Sequence, residues 1–169
     1  MRRPVLILIG LAAALPCHAQ ATDPRALTAK WQTYVEPEHG TRVEYPAGVF
    51  LADAGPPTIG DGKSFETDDG TARLEIYALE NSEHDNPASY VAKKFAYRRS
   101  ELEYDRIARG FFALSGVKNE MVYYSRCNFP AGRRGAIHCV YLTYPHRETK
   151  AWDAIVTRVS WSLRPRGGR

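Results

Sequence analysis

The sequence predicts an α+β fold in which a mostly antiparallel β-sheet packs with two helices. Much of the chain between residues 31 and 145 alternates apolar and polar residues with the period of two that is typical of β-strands. Turn-forming glycine, proline and asparagine separate these segments at short intervals, which favours hairpins. Two other segments repeat their apolar residues every three or four positions, as amphipathic helices do.

The N-terminal part of this pattern predicts one hairpin followed by a long loop. Its strands are WQTYV and TRVEYP, and EPEHG joins them. Leu27, Trp31 and Tyr34 also lie at helical spacing, so a helix remains an alternative for the first strand. Residues 47–62 contain four glycines and two prolines and predict a loop, and loops of that length often carry function.

The central part predicts a second hairpin and then a helix. KSFET and ARLEIYALE are joined by DDG, and the second of these strands has an apolar face made of Ala72, Leu74, Ile76 and Ala78. Asn86 and Pro87 predict the helix start, because asparagine caps helices and proline is tolerated at the first helical position. The helix should run to about Ser100. Its predicted apolar stripe consists of Ala88, Val91, Ala92 and Phe95.

The C-terminal half predicts four strands and a final helix. The strands lie between residues 101 and 145, and the helix spans residues 146–163 with Trp152 and Val159 on its apolar side. Residues 166–169 should be a frayed tail. Because hairpin turns link most strands, the order β-β-β-β-α-β-β-β-β-α predicts an α/β sandwich with an antiparallel sheet.

Two cysteines flank the turn PAGRRG inside this half. If Cys127 lies opposite Cys139 in a hairpin, Tyr124 faces Leu142, a favourable cross-strand pair. A redox pair usually has C-x-x-C spacing, and a metal site needs ligands that this hairpin lacks, since His138 points to the other strand face. The pair is therefore predicted to be a structural disulfide, the usual state of paired cysteines in an oxidising compartment.

The first 21 residues have the layout of a secretory signal peptide. A charged start precedes twelve apolar residues and a small-residue exit, with cleavage expected after Ala19 or Ala21. The apolar run is too short to span a bilayer, so no stable membrane insertion is expected after cleavage. The sequence thus predicts a periplasmic or secreted protein with one domain over residues 22–165.

Charge argues against nucleic acid as a partner. The formal net charge is +4. It falls to +2 when the two arginines of the signal peptide are removed, and the remaining basic clusters are short. A nucleic-acid-binding domain would concentrate basic residues on one face.

No catalytic, cofactor or metal motif is found in the sequence. Ser115 lacks the G-x-S-x-G elbow of hydrolases, and no pair of histidines has the spacing of a zinc motif. The acidic clusters are typical of turns and helix starts. No enzyme and no cofactor are therefore predicted.

Aromatic content suggests a different kind of site. The chain has ten tyrosines and three tryptophans, many of them in predicted strands. An exposed aromatic surface for a partner is predicted from Phe50, Tyr77, Tyr123 and Tyr141. The alternative is that strand tyrosines are half-buried, with only their hydroxyls in water.

Several strings resemble a known fold family. GTRVEYPAGVF, F-x-x-x-D-G, LSG and the final SLRP are similar to the pattern of short exported proteobacterial proteins that resemble the PsbP-like α/β/α sandwich, the fold of the extrinsic photosystem II subunit. The resemblance covers most of residues 31–165, and its motifs are structural. It implies fold, export and accessory binding to other macromolecules.

The predicted function is a non-enzymatic accessory or binding module, with another periplasmic or envelope protein as its partner. One alternative is a small periplasmic hydrolase that combines Asp68 or Asp69 with His39 or His84. Another is a carrier of an apolar ligand, held between sheet and helix.

Overall fold

The computed structural model describes residues 29–95 and 101–165. Most of this part of the chain forms antiparallel β-strands. The strands are β1 Trp31–Val35, β2 Thr41–Pro46, β3 Phe50–Asp53, β4 Asp61–Thr67, β5 Arg73–Glu80, β6 Leu102–Ile107, β7 Phe111–Lys118, β8 Met121–Asn128, β9 Ala136–Pro145 and β10 Arg164–Pro165. The α-helices are α1 Pro87–Lys94 and α2 Thr149–Ser162, and short 3₁₀ turns span Ala131–Arg133 and His146–Glu148.

The strands form two sheets among the described residues. The large sheet has the order β3-β4-β5-β9-β8-β7-β6, and the small one has the order β1-β2-β10. The small sheet and α2 cover one face of the large sheet, which we call the α2 face, and α1 packs on the opposite α1 face. The predicted α+β fold with a mostly antiparallel sheet and two helices is confirmed.

Trp152 is the largest side chain buried on the α2 face. Its ring is stacked on Tyr144, with ring centroids 5.2 Å apart, and is tilted against Phe50 at 5.7 Å. Val43 of β2 and Val159 of α2 belong to the same core. This core joins both sheets and the C-terminal helix.

Aromatic rings and the disulfide form the core of the α1 face. Tyr90 of α1 packs on Phe112 and Phe129, with centroids 6.0 and 5.5 Å away. Cys127 pairs with Cys139 in the β8–β9 register, and their sulfurs lie 2.02 Å apart. The strand register predicted from these two cysteines is confirmed.

Residues 47–62 were predicted to form one loop, which is wrong because β3 lies within them. β3 has four residues, and its pairing with β4 shifts register between Phe50 and Ala52. Only Phe50 of this strand is buried, where it packs on Trp152. The short length and the shift hide the alternation that would reveal a strand.

The start of α1 agrees with the prediction, whereas its buried face differs. The side chain of Asn86 accepts a hydrogen bond from the Ser89 amide, and the Ser89 hydroxyl accepts one from the Asn86 amide. Val91 and Phe95 of the predicted stripe pack partly buried against the core, whereas Ala88 and Ala92 are exposed, and Pro87 and Tyr90 are the fully buried residues. Tyr90 packs on the aromatic rings of this core, where it buries more apolar area than an alanine would.

Some sequence predictions concern residues outside the described ranges. They are the signal peptide, the continuation of the first helix over residues 96–100, and the C-terminal tail. Within the described ranges, no helix combines the length and the apolar character needed to cross a membrane.

A candidate partner-binding groove beside the edge strand

The four aromatic residues predicted as an exposed surface are mostly core residues. Phe50, Tyr77 and Tyr123 are 3%, 5% and 7% exposed, and Tyr141 is partly buried. Both faces of the central strands are covered, so their tyrosines pack inward whichever face they occupy. The surface predicted from these residues is therefore wrong.

Two exposed aromatic side chains of the described residues lie near the edge of the large sheet instead. Trp161, in the last turn of α2, is 80% exposed, and Tyr104 of β6 is 46% exposed. Between α2 and β6 runs an open groove of about 320 Å³, which we call the β6–α2 groove. Its lining residues are Tyr104, Arg106, Phe111, Ala113, Tyr124, Arg126, Ser160 and Trp161.

Strand register places two arginines side by side in this groove. Arg106 of β6 pairs with Ala113 of β7, which pairs with Arg126 of β8, so all three side chains leave the same face. The guanidinium carbons of Arg106 and Arg126 lie 5.4 and 4.7 Å from the ring centroid of Phe111. Both cations are thus held against one aromatic ring, a favourable cation–π arrangement.

Hydrogen bonds fix the position of Arg126 on the groove floor. Its Nη1 donates to Ser160 Oγ at 3.1 Å, and its Nε donates to Asn128 Oδ1 at 3.3 Å. Tyr124 Oη lies 2.6 Å from the same Ser160 oxygen. Burial raises the pKa of Tyr124, so this phenol stays neutral. A guanidinium has five N–H donors, so Arg126 has capacity for a ligand beyond these two bonds.

Neither arginine of the groove forms a salt bridge with a carboxylate of the described residues, although several other basic side chains do. A guanidinium binds a carboxylate in a bidentate manner and stacks on aromatic rings. The groove can therefore bind an anionic group between apolar walls.

The edge of the sheet adds backbone groups to this surface. Among the described residues, β6 pairs with β7 alone, and its side chains are exposed from Glu103 to Ile107. An edge strand presents N–H and C=O groups that an extended peptide can pair with. The groove and the edge together suit a segment in β conformation.

Comparisons with known proteins address the fold. No protein-family model and no curated protein sequence matches the chain. A solved structure with a similar fold is the solution structure of cyanobacterial PsbP (CyanoP) from Synechocystis sp. PCC 6803, with a TM-score of 0.54 and 16% identity. The match covers 90% of this chain and 98% of the other. The chain has a PsbP-like fold.

The fold does not bring Asp68 or Asp69 of the predicted hydrolase alternative together with His39 or with His84, which follows β5 at the opposite end of the β4–β5 hairpin. His39 lies beside Asp61 at the start of β4, with 3.6 Å between Nε2 and Oδ2. Asp68 and Asp69 lie in the turn after β4, about 20 Å away along this strand of seven residues. Hydrogen bonds from the Thr67 hydroxyl and from Thr71 lower the pKa of Asp69 to about 2, which makes it a poor general base.

An apolar-ligand carrier was predicted to hold its ligand between sheet and helix, but the cavity lies elsewhere. Aromatic rings fill the space between α1 and the large sheet. A cavity of about 850 Å³ opens beside the N-terminal start of α1 instead. Its walls come from residues 85–88, 107–110 and 129–132.

A buried histidine links the two sheets of the fold. His138 Nδ1 of β9 lies 2.8 Å from Thr41 Oγ1 of β2. Burial lowers the pKa of His138, as does nearby His39, while Glu36 opposes them. The folded state thus favours the neutral imidazole.

This lowered pKa predicts a loss of stability on acidification. Well above the unfolded pKa of about 6.5, His138 is neutral in both the folded and the unfolded state, so its protonation does not reduce the free energy of unfolding. Below it, the unfolded chain binds the proton first, so the free energy of unfolding falls until the pH passes the folded pKa. His138→Gln, which cannot titrate, should show a smaller fall than the wild type between pH 7.5 and 5 in urea denaturation. Equal falls in both proteins would contradict the assignment.

Proposed function

We propose that this chain is an exported, non-enzymatic binding module that holds an acidic, extended segment of another envelope protein in the β6–α2 groove. The observation that carries the proposal is the pair Arg106 and Arg126, held against Phe111 without a carboxylate partner among the described residues. Exposed Trp161 and Tyr104 flank them.

The side chains of the groove are of the types that dominate protein interfaces. Tryptophan, tyrosine and arginine are enriched among the residues that contribute most to binding energy. Arg126 is fixed by Ser160 and Asn128, so little side-chain entropy is lost when it binds a carboxylate. Arg106 lies on the edge strand β6, so the positive charge of the two arginines reaches the side of the groove from which a partner segment would enter.

An extended partner suits the edge strand. Pairing with β6 would satisfy its outer backbone groups and align alternate side chains of the partner with the groove. Acidic residues at every second position would then face Arg106 and Arg126. The resemblance to PsbP-like proteins supports an accessory role by analogy of fold, and the signal-peptide pattern and the disulfide support export.

A labelled peptide tests the proposal directly. The probe is a fluorescent ten-residue peptide that alternates glutamate with valine, and its match has lysine in place of glutamate. We expect the acidic peptide to bind and each of Arg106→Gln and Arg126→Gln to weaken binding about tenfold or more, because a hydrogen bond to a charged group contributes about 1.5–3 kcal/mol. Fluorescence polarisation at two salt concentrations measures the affinities.

The control variant makes the same change of charge elsewhere. Arg147 is 80% exposed at its side chain and lies before α2, away from the groove. Arg147→Gln should bind the acidic peptide like the wild type. If the lysine peptide binds equally well, or if Arg126→Gln keeps full affinity, the groove is not an acidic-segment site.

A further inference from the structure

The turn between β1 and β2 brings together three side chains of the kinds that bind metal ions. Glu38 and His39 lie in this turn, and Asp61 is the first residue of β4. One ligand atom from each of the three lies within 4.8 Å of the other two. The sequence shows no metal motif because 22 positions separate Asp61 from His39.

A buried carboxylate holds this turn in place. Glu36 is 1% exposed, and its two oxygens accept hydrogen bonds from the backbone amides of Glu38 and His39, at 2.5 and 2.7 Å. Gly40 completes the turn with a φ of 72°, which glycine adopts without strain. The backbone that carries two of the three ligands is therefore positioned before any ion arrives.

Within residues 29–95 and 101–165, no basic side chain forms a salt bridge with the carboxylates of this region. Glu36, Glu38 and Asp61 place three carboxylates around the turn, and none of them forms a salt bridge with a lysine or arginine of the described residues. His39 Nε2 lies 3.6 Å from Asp61 Oδ2, too long for a hydrogen bond. A divalent cation would offset this negative charge.

We propose that Glu38, His39 and Asp61 bind a divalent transition-metal ion of the zinc class. A set of one imidazole and two carboxylates suits zinc, whereas calcium and magnesium prefer oxygen ligands alone. Ligand atoms around a tetrahedral zinc lie about 3.4 Å apart when the bonds are about 2.1 Å long. Glu38 and Asp61 are exposed, so small side-chain movements suffice to close the present distances.

The bound ion would tie the small sheet to the large one. The β1–β2 turn belongs to the small sheet, and β4 belongs to the large sheet. Zinc binding would therefore raise the melting temperature, because an ion that binds the folded state alone stabilises it. Glu36 acts as a positioning residue for this site, since its carboxylate binds the turn backbone rather than the ion.

Calorimetric titration with zinc chloride tests the site. The full chain is used with its disulfide closed and with Cys17→Ser and His18→Ala, so that residues of the leader do not compete for zinc. We expect one zinc ion per chain, and a loss of affinity of at least tenfold in His39→Ala and in Asp61→Asn. The zinc-dependent rise in melting temperature should disappear in the same two variants.

Matched controls separate this site from general binding to acidic or imidazole groups. His146→Ala and Asp68→Asn remove the same groups at exposed positions elsewhere and should bind zinc like the parent. The proposal fails if the parent binds no zinc, if His39→Ala keeps its affinity, or if magnesium binds as tightly as zinc. None of these results depends on the β6–α2 groove.

Discussion

Replacing Trp152 with alanine should lower the free energy of unfolding by about 3–5 kcal/mol, the largest loss expected from one substitution in this protein. Trp152 is 1% exposed and contacts Tyr144 of β9 and Phe50 of β3. An alanine would leave a cavity where α2 meets the large sheet. Its rigid neighbours can fill this space only in part, so dispersion contacts would be lost as well as apolar burial.

Urea denaturation measures this effect, and the same helix offers a matched control. Trp161→Ala removes an identical side chain that is 80% exposed, and it should change stability by no more than about 0.5 kcal/mol. Equal losses in the two variants would show that Trp152 does not contribute through burial. If Trp152→Ala does not fold, Trp152→Phe takes its place in the comparison. A smaller loss in the free energy of unfolding is expected for that variant.

Removal of the disulfide should have the second largest effect. Replacing both Cys127 and Cys139 with alanine frees a loop with a sequence separation of 12 and should cost about 3 kcal/mol on the loop-entropy account. The fold should survive, because the cores on both faces of the sheet remain. For a domain of this size, the melting temperature should fall by about 10 °C.

Differential scanning calorimetry under oxidising and reducing conditions checks this prediction. Reduction of the wild type should reproduce the loss seen in the double variant and should leave the variant unchanged. In the full chain with its leader retained, Cys17→Ser serves as the control and should melt like the wild type. A double variant that melts at the wild-type temperature would show that the bond contributes nothing to stability.

The β8–β9 hairpin shows what could be predicted from the sequence. Two cysteines flanking a turn define a single register, and every other pair in the hairpin follows from it. The start of α1 was equally accessible, since Asn86 and Pro87 carry a local capping signal. Strand β3 could not be predicted, because its register with β4 shifts and its one buried residue packs on Trp152, about a hundred positions away.

The β6–α2 groove could not be predicted from the sequence for a similar reason. Arg106 and Arg126 are neighbours only because β7 lies between their strands, and β6 is exposed only because the sheet ends there. Trp161 did carry a signal, since it falls off the apolar stripe that includes Trp152 and Val159. The predicted tyrosine surface failed because alternation along a strand does not show whether the second face is covered.

The small sheet has a consequence for the order in which the chain acquires structure during synthesis. β2 comes early in the chain, yet it pairs with β10 and receives α2 on its surface, through the Arg158–Glu44 ion pair and the bond from the Glu44 amide to Ser162. These partners lie more than a hundred residues downstream, so they are synthesised long after β2. While translation proceeds, Val43 has no C-terminal helix to pack against, and the α2 face stays open. The native state therefore forms in a late step, because the α2 face can close only once α2 is present.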